Sequence, residues 1–208
     1  ADSHDAYASS FLRLVAQWLK IKNDYSWLSA TNVHNQTNLA TLKNVAFSNL
    51  ARCQKSYTTW ATSTAYTRGL YREANGSVYL CTTSGTSASS GSGPSGTDPT
   101  VFIIDGTAQW LYQYPLAQGL ITTFQNELHS NALEKWAVCY LQDNCENYSG
   151  LKAFSDMLAA IGDADSTYYG NIAAGVAAGV KALYKASTKE WRFADNALTV
   201  NQIGRAHV

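Results

Sequence analysis

Apolar residues recur at helical spacing along most of this chain, but not between about Tyr57 and Tyr114. Ahead of that stretch the spacing predicts a helix from Asp5 to Lys22 and a second helix from Thr31 to Gln54. The stripe of the first helix that we expect to face the core consists of Tyr7, Phe11, Leu14, Val15 and Trp18.

The pattern becomes helical again after the stretch. Residues 149–161 predict a helix, and Gly162 follows where a helix commonly ends. Asp165 or Ser166 can cap a last helix, which we expect to run to about Ala186. Helices joined by short links are typical of stacked helical hairpins.

The central stretch carries β signals instead. Asn75-Gly76 lies between two apolar runs and predicts a two-residue hairpin, and Asp105-Gly106 predicts another. Residues 84–96 are so rich in Ser and Gly that we expect a mobile loop that does not pack. The stretch therefore predicts a small all-β module within a helical chain.

Several short sequence segments in the helical parts resemble those of the six-hairpin glycosidase superfamily. They are Asp5-Ala-Tyr7-Ala-Ser-Ser-Phe11, Asn23-Asp24-Tyr-Ser-Trp27-Leu28, Tyr140-Leu-Gln-Asp143-Asn144-Cys-Glu146-Asn-Tyr148-Ser-Gly150-Leu151, Ile161-Gly-Asp163 and Glu190-Trp191-Arg-Phe193. The resemblance implies a mainly α fold, part of an (α/α)6 toroid of helical hairpins. It also implies that inner helices deliver side chains to a central cavity.

The central stretch resembles small modules of phage tail and tail-fibre proteins and of secreted carbohydrate-binding proteins. The segments that show this resemblance are Tyr66-Thr-Arg-Gly69, Asn75-Gly76, Tyr79-Leu-Cys81, Gly85-Thr-Ser87, Gly93-Pro94 and Asp105-Gly-Thr-Ala-Gln-Trp110. The resemblance implies that Trp60, Tyr66, Tyr79 and Trp110 form a platform on which sugar rings stack. A module this small also needs aromatic residues for its own core, so both roles stay open.

These patterns predict four segments. Residues 1–56 and 115–202 are the two parts of a helical hairpin domain, and residues 57–114 are the inserted β module. The last six residues, 203–208, read like a translated sequencing adapter, although a chance hexapeptide is the alternative. We therefore expect the chain to be a fragment of a longer protein.

Composition narrows the function classes. The chain has 15 basic residues (Lys and Arg) and 15 acidic residues (Asp and Glu), so its composition shows no excess of positive charge for binding nucleic acid. Its longest apolar run, residues 172–184, is too short to insert into a membrane. The four cysteines form no C-x-x-C pair and the histidines lie far apart, which argues against a metal site. Buried free thiols are favoured, with disulfides left open.

Acidic residues are few, which restricts the candidates for glycosidic hydrolysis by a carboxylate pair. Asp143 and Glu146 are three residues apart, so a helix would place both on one face. We predict Glu146 or Asp143 as the acid or base, with Asp5 as its partner or as a sugar ligand. Asp5 could instead cap the first helix and Asp143 the later one, whereas Glu146 has no such simple structural role.

The sequence therefore predicts a protein that hydrolyses a polysaccharide without a cofactor and carries a glycan-binding module. The alternative is a non-catalytic phage tail or adhesion protein that binds a host surface glycan. Both place the protein outside the cell or on a virion. The motifs of serine hydrolases, nucleotide-binding enzymes and zinc proteases do not occur in the chain.

Overall fold

The computed structural model describes residues 4–122 and 138–195. Within these ranges the chain forms four α-helices and eight β-strands in three sheets. It is a mixed α and β protein, so the prediction of a mainly α, partial toroid of helical hairpins is wrong. The tail predicted to be a sequencing artefact, 203–208, lies outside the described residues, as do 123–137 and 196–202 of the predicted second helical part.

The chain divides into two compact units. Among the described residues, one unit comprises 4–55, 118–122 and 138–194, and we call it the helical unit. The other comprises 56–117 together with Asp195, and we call it the β unit.

Helix α1 (His4–Lys22) has nearly the predicted bounds but buries a different side. Its core residues are Ala8, Leu12, Ala16 and Leu19. Of the predicted stripe, Tyr7, Phe11, Leu14 and Trp18 are exposed, and only Val15 packs against the core. The reason is a close contact with helix α3 (Leu141–Ala160), where a Cβ added to Gly150 would lie 2.5 Å from the carbonyl oxygen of Ser9. Small side chains such as Ala8 and Ser9 fit at this close approach and the bulky rings of the predicted stripe do not, so the stripe stays outside.

Helix α2 (Asn38–Asn49) is shorter than the helix predicted over 31–54. The side-chain oxygen of Asn32 accepts hydrogen bonds from two following backbone amides, at 2.9 and 3.1 Å. Those bonds stabilise a turn in place of a first helical turn. The helix starts only after Thr37, whose hydroxyl oxygen caps it.

Helix α3 starts at Leu141, eight residues before the predicted start at residue 149. The sequence did not show this start, because the buried polar residues Asn144 and Asn147 interrupt the apolar pattern. Gly162 follows with a φ of 72°, which confirms the predicted helix end. Helix α4 (Ser166–Ala182) starts as predicted and ends about one turn early. Strands β7 (Tyr184–Lys185) and β8 (Glu190–Trp191) then pair as a short hairpin.

The strands of the β unit are β1 Ala65–Tyr66, β2 Tyr71–Ala74, β3 Ser77–Thr83, β4 Gly85–Thr86, β5 Phe102–Asp105 and β6 Ala108–Pro115. Four of them form an antiparallel sheet with the order β2-β3-β6-β5, and β1 pairs with β4. Both predicted hairpins are confirmed: Asn75-Gly76 joins β2 to β3, and Gly106-Thr107, one residue later than the predicted pair, joins β5 to β6.

The Ser- and Gly-rich run 84–96 packs against the unit, so the prediction that it would not pack is wrong. The side-chain amide of Asn75 donates hydrogen bonds to the carbonyl oxygens of Ser92 and Pro94, at 3.1 and 3.0 Å. Gly93 lies so close to the ring of Trp60 that a Cβ there would be 2.7 Å from it. Glycine allows this close packing on an aromatic ring, which composition alone does not reveal.

Candidate functional site

Asp5, a predicted partner or ligand, is buried in the contact between α1 and α3. Its Oδ2 accepts a hydrogen bond of 2.7 Å from Nδ2 of Asn147. Oδ1 of Asn147 in turn accepts one of 2.7 Å from the hydroxyl of Ser9. These bonds connect the two helices through a buried polar network, a structural role for Asp5 that differs from capping. Sequence reasoning missed Asn147, because an asparagine in a polar segment gives no sign that it is buried.

Asp143 and Glu146, the predicted acid and base, lie in the first two turns of α3, three residues apart as expected. Both side chains are half-buried. Asp143 is in the first helical turn, where the helix dipole favours a negative charge. Their catalytic roles stay predictions.

The four aromatic residues predicted to bind sugar are all buried in the core of the β unit. The ring of Tyr66 packs edge-on against that of Trp110, with centroids 4.9 Å apart. The hydroxyl of Tyr79 donates to the carbonyl oxygen of Gly96 at 3.0 Å, and burial raises the pKa of this hydroxyl. Rings held inside the core cannot stack on a ligand unless the unit opens, so a binding surface has to use other side chains.

Asp105 forms hydrogen bonds with two rings of this aromatic core. The sequence identified it only as a turn residue. Its Oδ2 accepts hydrogen bonds from the indole N–H groups of Trp60 and Trp110, at 2.7 and 3.1 Å. Its Oδ1 accepts one of 2.9 Å from the backbone amide of Ala88. Two buried indoles need an acceptor, and a single carboxylate supplies it for both.

The outer face of the four-stranded sheet carries a continuous row of apolar side chains. Tyr71 is paired with Leu80, Leu80 with Leu111, and Leu111 with Phe102. Residues directly opposite each other in antiparallel strands point to the same face, so these four form one row across all four strands. Tyr71, Leu80 and Leu111 are half-buried, and Phe102 is 58% exposed. We call this set the outer row.

Polar groups lie beside the outer row. Ile104, which is 75% exposed, is paired with Gln109 on the adjoining strand. The side-chain oxygen of Gln109 accepts a hydrogen bond of 3.1 Å from the hydroxyl of Thr83, which orients its amide. The side chains named here supply apolar groups, one exposed aromatic ring, an amide and a hydroxyl, whereas the charged Glu73, two residues after Tyr71 in β2, lies on the same face. The sequence signal that could have identified this face is the period of two along β6, where Trp110 and Tyr112 alternate with Gln109, Leu111 and Gln113.

A cleft of about 330 Å³ lies in the helical unit, near the C-terminal ends of α1 and α3. Its lining is Ala16, Gln17, Lys20, Tyr25, Ala153, Asp156, Met157 and Ala160. The carboxylate of Asp156 also pairs with Lys152 at 2.6 Å. None of the predicted site residues lines this cleft, and its volume is at the lower end for small-molecule pockets.

The four cysteines, all within the described residues, form no disulfide; Cys53, Cys81 and Cys139 are buried and Cys145 is exposed. In residues 4–122 and 138–195, no three His, Cys, Asp or Glu side chains are grouped so that they could hold a metal ion. The same part of the chain has no helix that is both long and apolar enough to span a bilayer.

Comparisons of this chain with protein-family models, with curated proteins and with solved structures find no match. The geometry of the described residues is therefore what points to a function.

Proposed function

We propose that the β unit binds a carbohydrate on the outer face of its sheet, and that the protein is a non-catalytic adhesion or tail-type protein for a surface glycan. The observation that carries the proposal is the outer row, which extends across four strands and ends at the exposed ring of Phe102. An extracellular or virion-associated location belongs to the same proposal.

The chemistry of the face suits a neutral sugar. One side of a pyranose ring presents C–H groups, which pack on apolar and aromatic surface, and its rim presents hydroxyls. Phe102 and Leu111 supply such a surface, and the amide of Gln109 lies at its edge for hydrogen bonding with a hydroxyl. Because the outer row contains no charged residue, we expect a neutral ligand, not an acidic one.

Binding is supported better than hydrolysis. The hydrolytic prediction assumed that Glu146, Asp143 and Asp5 would face the central cavity of a toroid, and the described residues form no toroid. Asp5 is instead hydrogen-bonded to Asn147 between two helices. Because Asp5 is held in this contact between helices, we propose binding alone.

Affinity electrophoresis of the full chain in gels containing dextran, a mixed-linkage β-glucan or a galactomannan tests the proposal. We expect at least one polysaccharide to retard the protein. Phe102→Ala should then weaken binding about tenfold, which corresponds to about 1.4 kcal/mol. Val101→Ala is the matched control, because Val101 is similarly exposed but precedes the strand. Equal retardation of the Phe102→Ala variant and the wild type, or no retardation by any of the three, would refute the assignment.

A further inference from the structure

The cleft of the helical unit is lined by polar side chains whose bonding capacity is not used within the described protein. Gln17 and Lys20 of α1 line it, together with Tyr25, which follows that helix. Tyr25 is half-buried and packs against the helical core, so it is held in place. Among the described residues, none forms a hydrogen bond or an ion pair with these three side chains. Their donors and acceptors are therefore available to a bound molecule.

The lining also contains two side chains of opposite charge, one from each helix of the cleft. Lys20 belongs to α1 and Asp156 to α3. No ion pair joins these two described residues, and the carboxylate of Asp156 lies 2.6 Å from the ammonium group of Lys152 instead. That pair is exposed to water, where an ion pair contributes little stability, so a ligand can compete with it. A molecule that carries both a carboxylate and an ammonium group can therefore pair with both helices.

We propose that this cleft binds a free α-amino acid with an apolar side chain. The carboxylate of the amino acid pairs with Lys20, its ammonium group pairs with Asp156, and its side chain packs on the apolar part of the lining. The proposal concerns the helical unit and is independent of the proposed carbohydrate site.

The direction of the two helices favours an ammonium group in the cleft. Asp5 bonds to Asn147 and, further along, Ser9 lies against Gly150, so α1 and α3 run parallel. The cleft lies beside the last two turns of both helices. Each of these helix ends carries a partial negative charge, which attracts a cation. The parallel arrangement therefore adds to the attraction that Asp156 exerts on an ammonium group.

The size and the apolar lining of the cleft fit an amino acid. Its volume of about 330 Å³ corresponds to roughly eleven water molecules at about 30 Å³ each, close to the number of non-hydrogen atoms in leucine or phenylalanine. The apolar lining consists of Ala16, Ala153, Met157 and Ala160. Met157 is flexible and polarizable, so it adapts to side chains of different shape. We therefore expect leucine, methionine and phenylalanine to bind, and glycine, which has no side chain to pack there, to bind more weakly.

A ligand with a single charge fits the cleft less well. A carboxylate alone would pair with Lys20 but would approach the negative ends of two helices. An amine alone would pair with Asp156, while the charge of Lys20 would repel it. A zwitterion places a favourable charge beside each group and is neutral overall.

Titration of the full chain with L-leucine, L-methionine and L-phenylalanine, followed through the backbone amides by nuclear magnetic resonance, tests the proposal. We expect at least one of them to bind with a dissociation constant of about 1 mM or lower and to shift amides that lie near the cleft. Leucinamide lacks the carboxylate and N-acetyl-leucine lacks the ammonium group. Each of these analogues should bind about tenfold more weakly than leucine.

Substitutions on the two helices separate the proposed contacts. Lys20→Gln and Asp156→Asn should each weaken leucine binding about tenfold, because each removes one of the two ion pairs. Lys22→Gln is the matched control, since it removes the same charge from the same helix but lies outside the lining. Lys152→Met should strengthen binding about threefold, because Lys152 competes for the carboxylate of Asp156. All four side chains are exposed, so folding should be unchanged.

The outcomes that would overturn the proposal are distinct. One is that none of the three amino acids binds. N-acetyl-leucine that binds as tightly as leucine would overturn it in favour of a simple carboxylate, and leucinamide that does so would overturn it in favour of a simple amine. Leucine binding that neither Lys20→Gln nor Asp156→Asn weakens would place the amino acid elsewhere on the protein, which also contradicts the proposal.

Discussion

Replacing Asp105 with alanine tests whether one carboxylate holds the core of the β unit together. The change removes the acceptor for two buried indole N–H groups, at 2.7 and 3.1 Å, and for the amide of Ala88, at 2.9 Å. Each buried donor left without an acceptor costs about 1–3 kcal/mol. We therefore expect Asp105→Ala to lower the free energy of unfolding of the β unit by about 4 kcal/mol.

Asp105→Asn should have a smaller effect. Its remaining carbonyl oxygen can still accept from both Trp60 and Trp110, but its NH₂ group would face the amide of Ala88, so that two donors meet. A loss of about 1–2 kcal/mol follows. A unit of this size rarely has more than about 3–5 kcal/mol of stability, so the alanine variant should leave it largely unfolded.

Hydrogen exchange detected by mass spectrometry measures the stability of the β unit by itself, through peptides from β3 and β6. Protection of those peptides should be lost in Asp105→Ala and reduced in Asp105→Asn. Asp98→Ala is the control, because Asp98 accepts hydrogen bonds from Thr100 at the surface. A loss below about 1 kcal/mol in Asp105→Ala would refute the idea that the carboxylate holds this core.

Three further predictions concern the helical unit. Gly150→Ala should destabilise it by about 2 kcal/mol, because the new Cβ would press on the backbone of Ser9, and an unchanged melting temperature would contradict this. Ellman's reagent should modify Cys145 alone in the native protein and all four thiols after denaturation. Partial burial and the charge of Glu146 raise the pKa of Cys145, so its reaction rate should still increase above pH 9. Burial alone would raise the pKa of Asp163, but its bonds to Lys43 and to a backbone amide outweigh this and lower it. Lys43→Met should therefore cost about 1 kcal/mol at pH 7, and this difference should vanish in urea titrations as the pH falls below the lowered pKa of Asp163.

The hairpins of the β unit were predictable because their cause is local. Asn75 and Gly76 have φ values of 49° and 71°, and few residue types adopt such values readily. Any chain that contains this pair between two apolar runs has a strong tendency to reverse there. The same holds for Gly162, whose positive φ ends α3.

The buried face of α1 was not predictable in the same way. Both sides of the helix carry apolar residues at helical spacing, so periodicity alone cannot decide between them. The choice depends on Gly150, which belongs to another helix and brings its backbone against Ser9. The stripe with the larger side chains, which hydrophobicity favours, is the one left outside.

The sequence by itself determined the local features of this protein: the existence of α1, the end of α3 and the two β-hairpins. Only the tertiary structure decided which side chains are accessible. Trp60 and Trp110 point inward because Asp105 accepts both of their N–H groups, and Phe102 is left exposed at the sheet edge. Backbone preferences act within a few residues, whereas burial depends on contacts between residues far apart in the chain, so a candidate site made of exposed groups emerges only after folding.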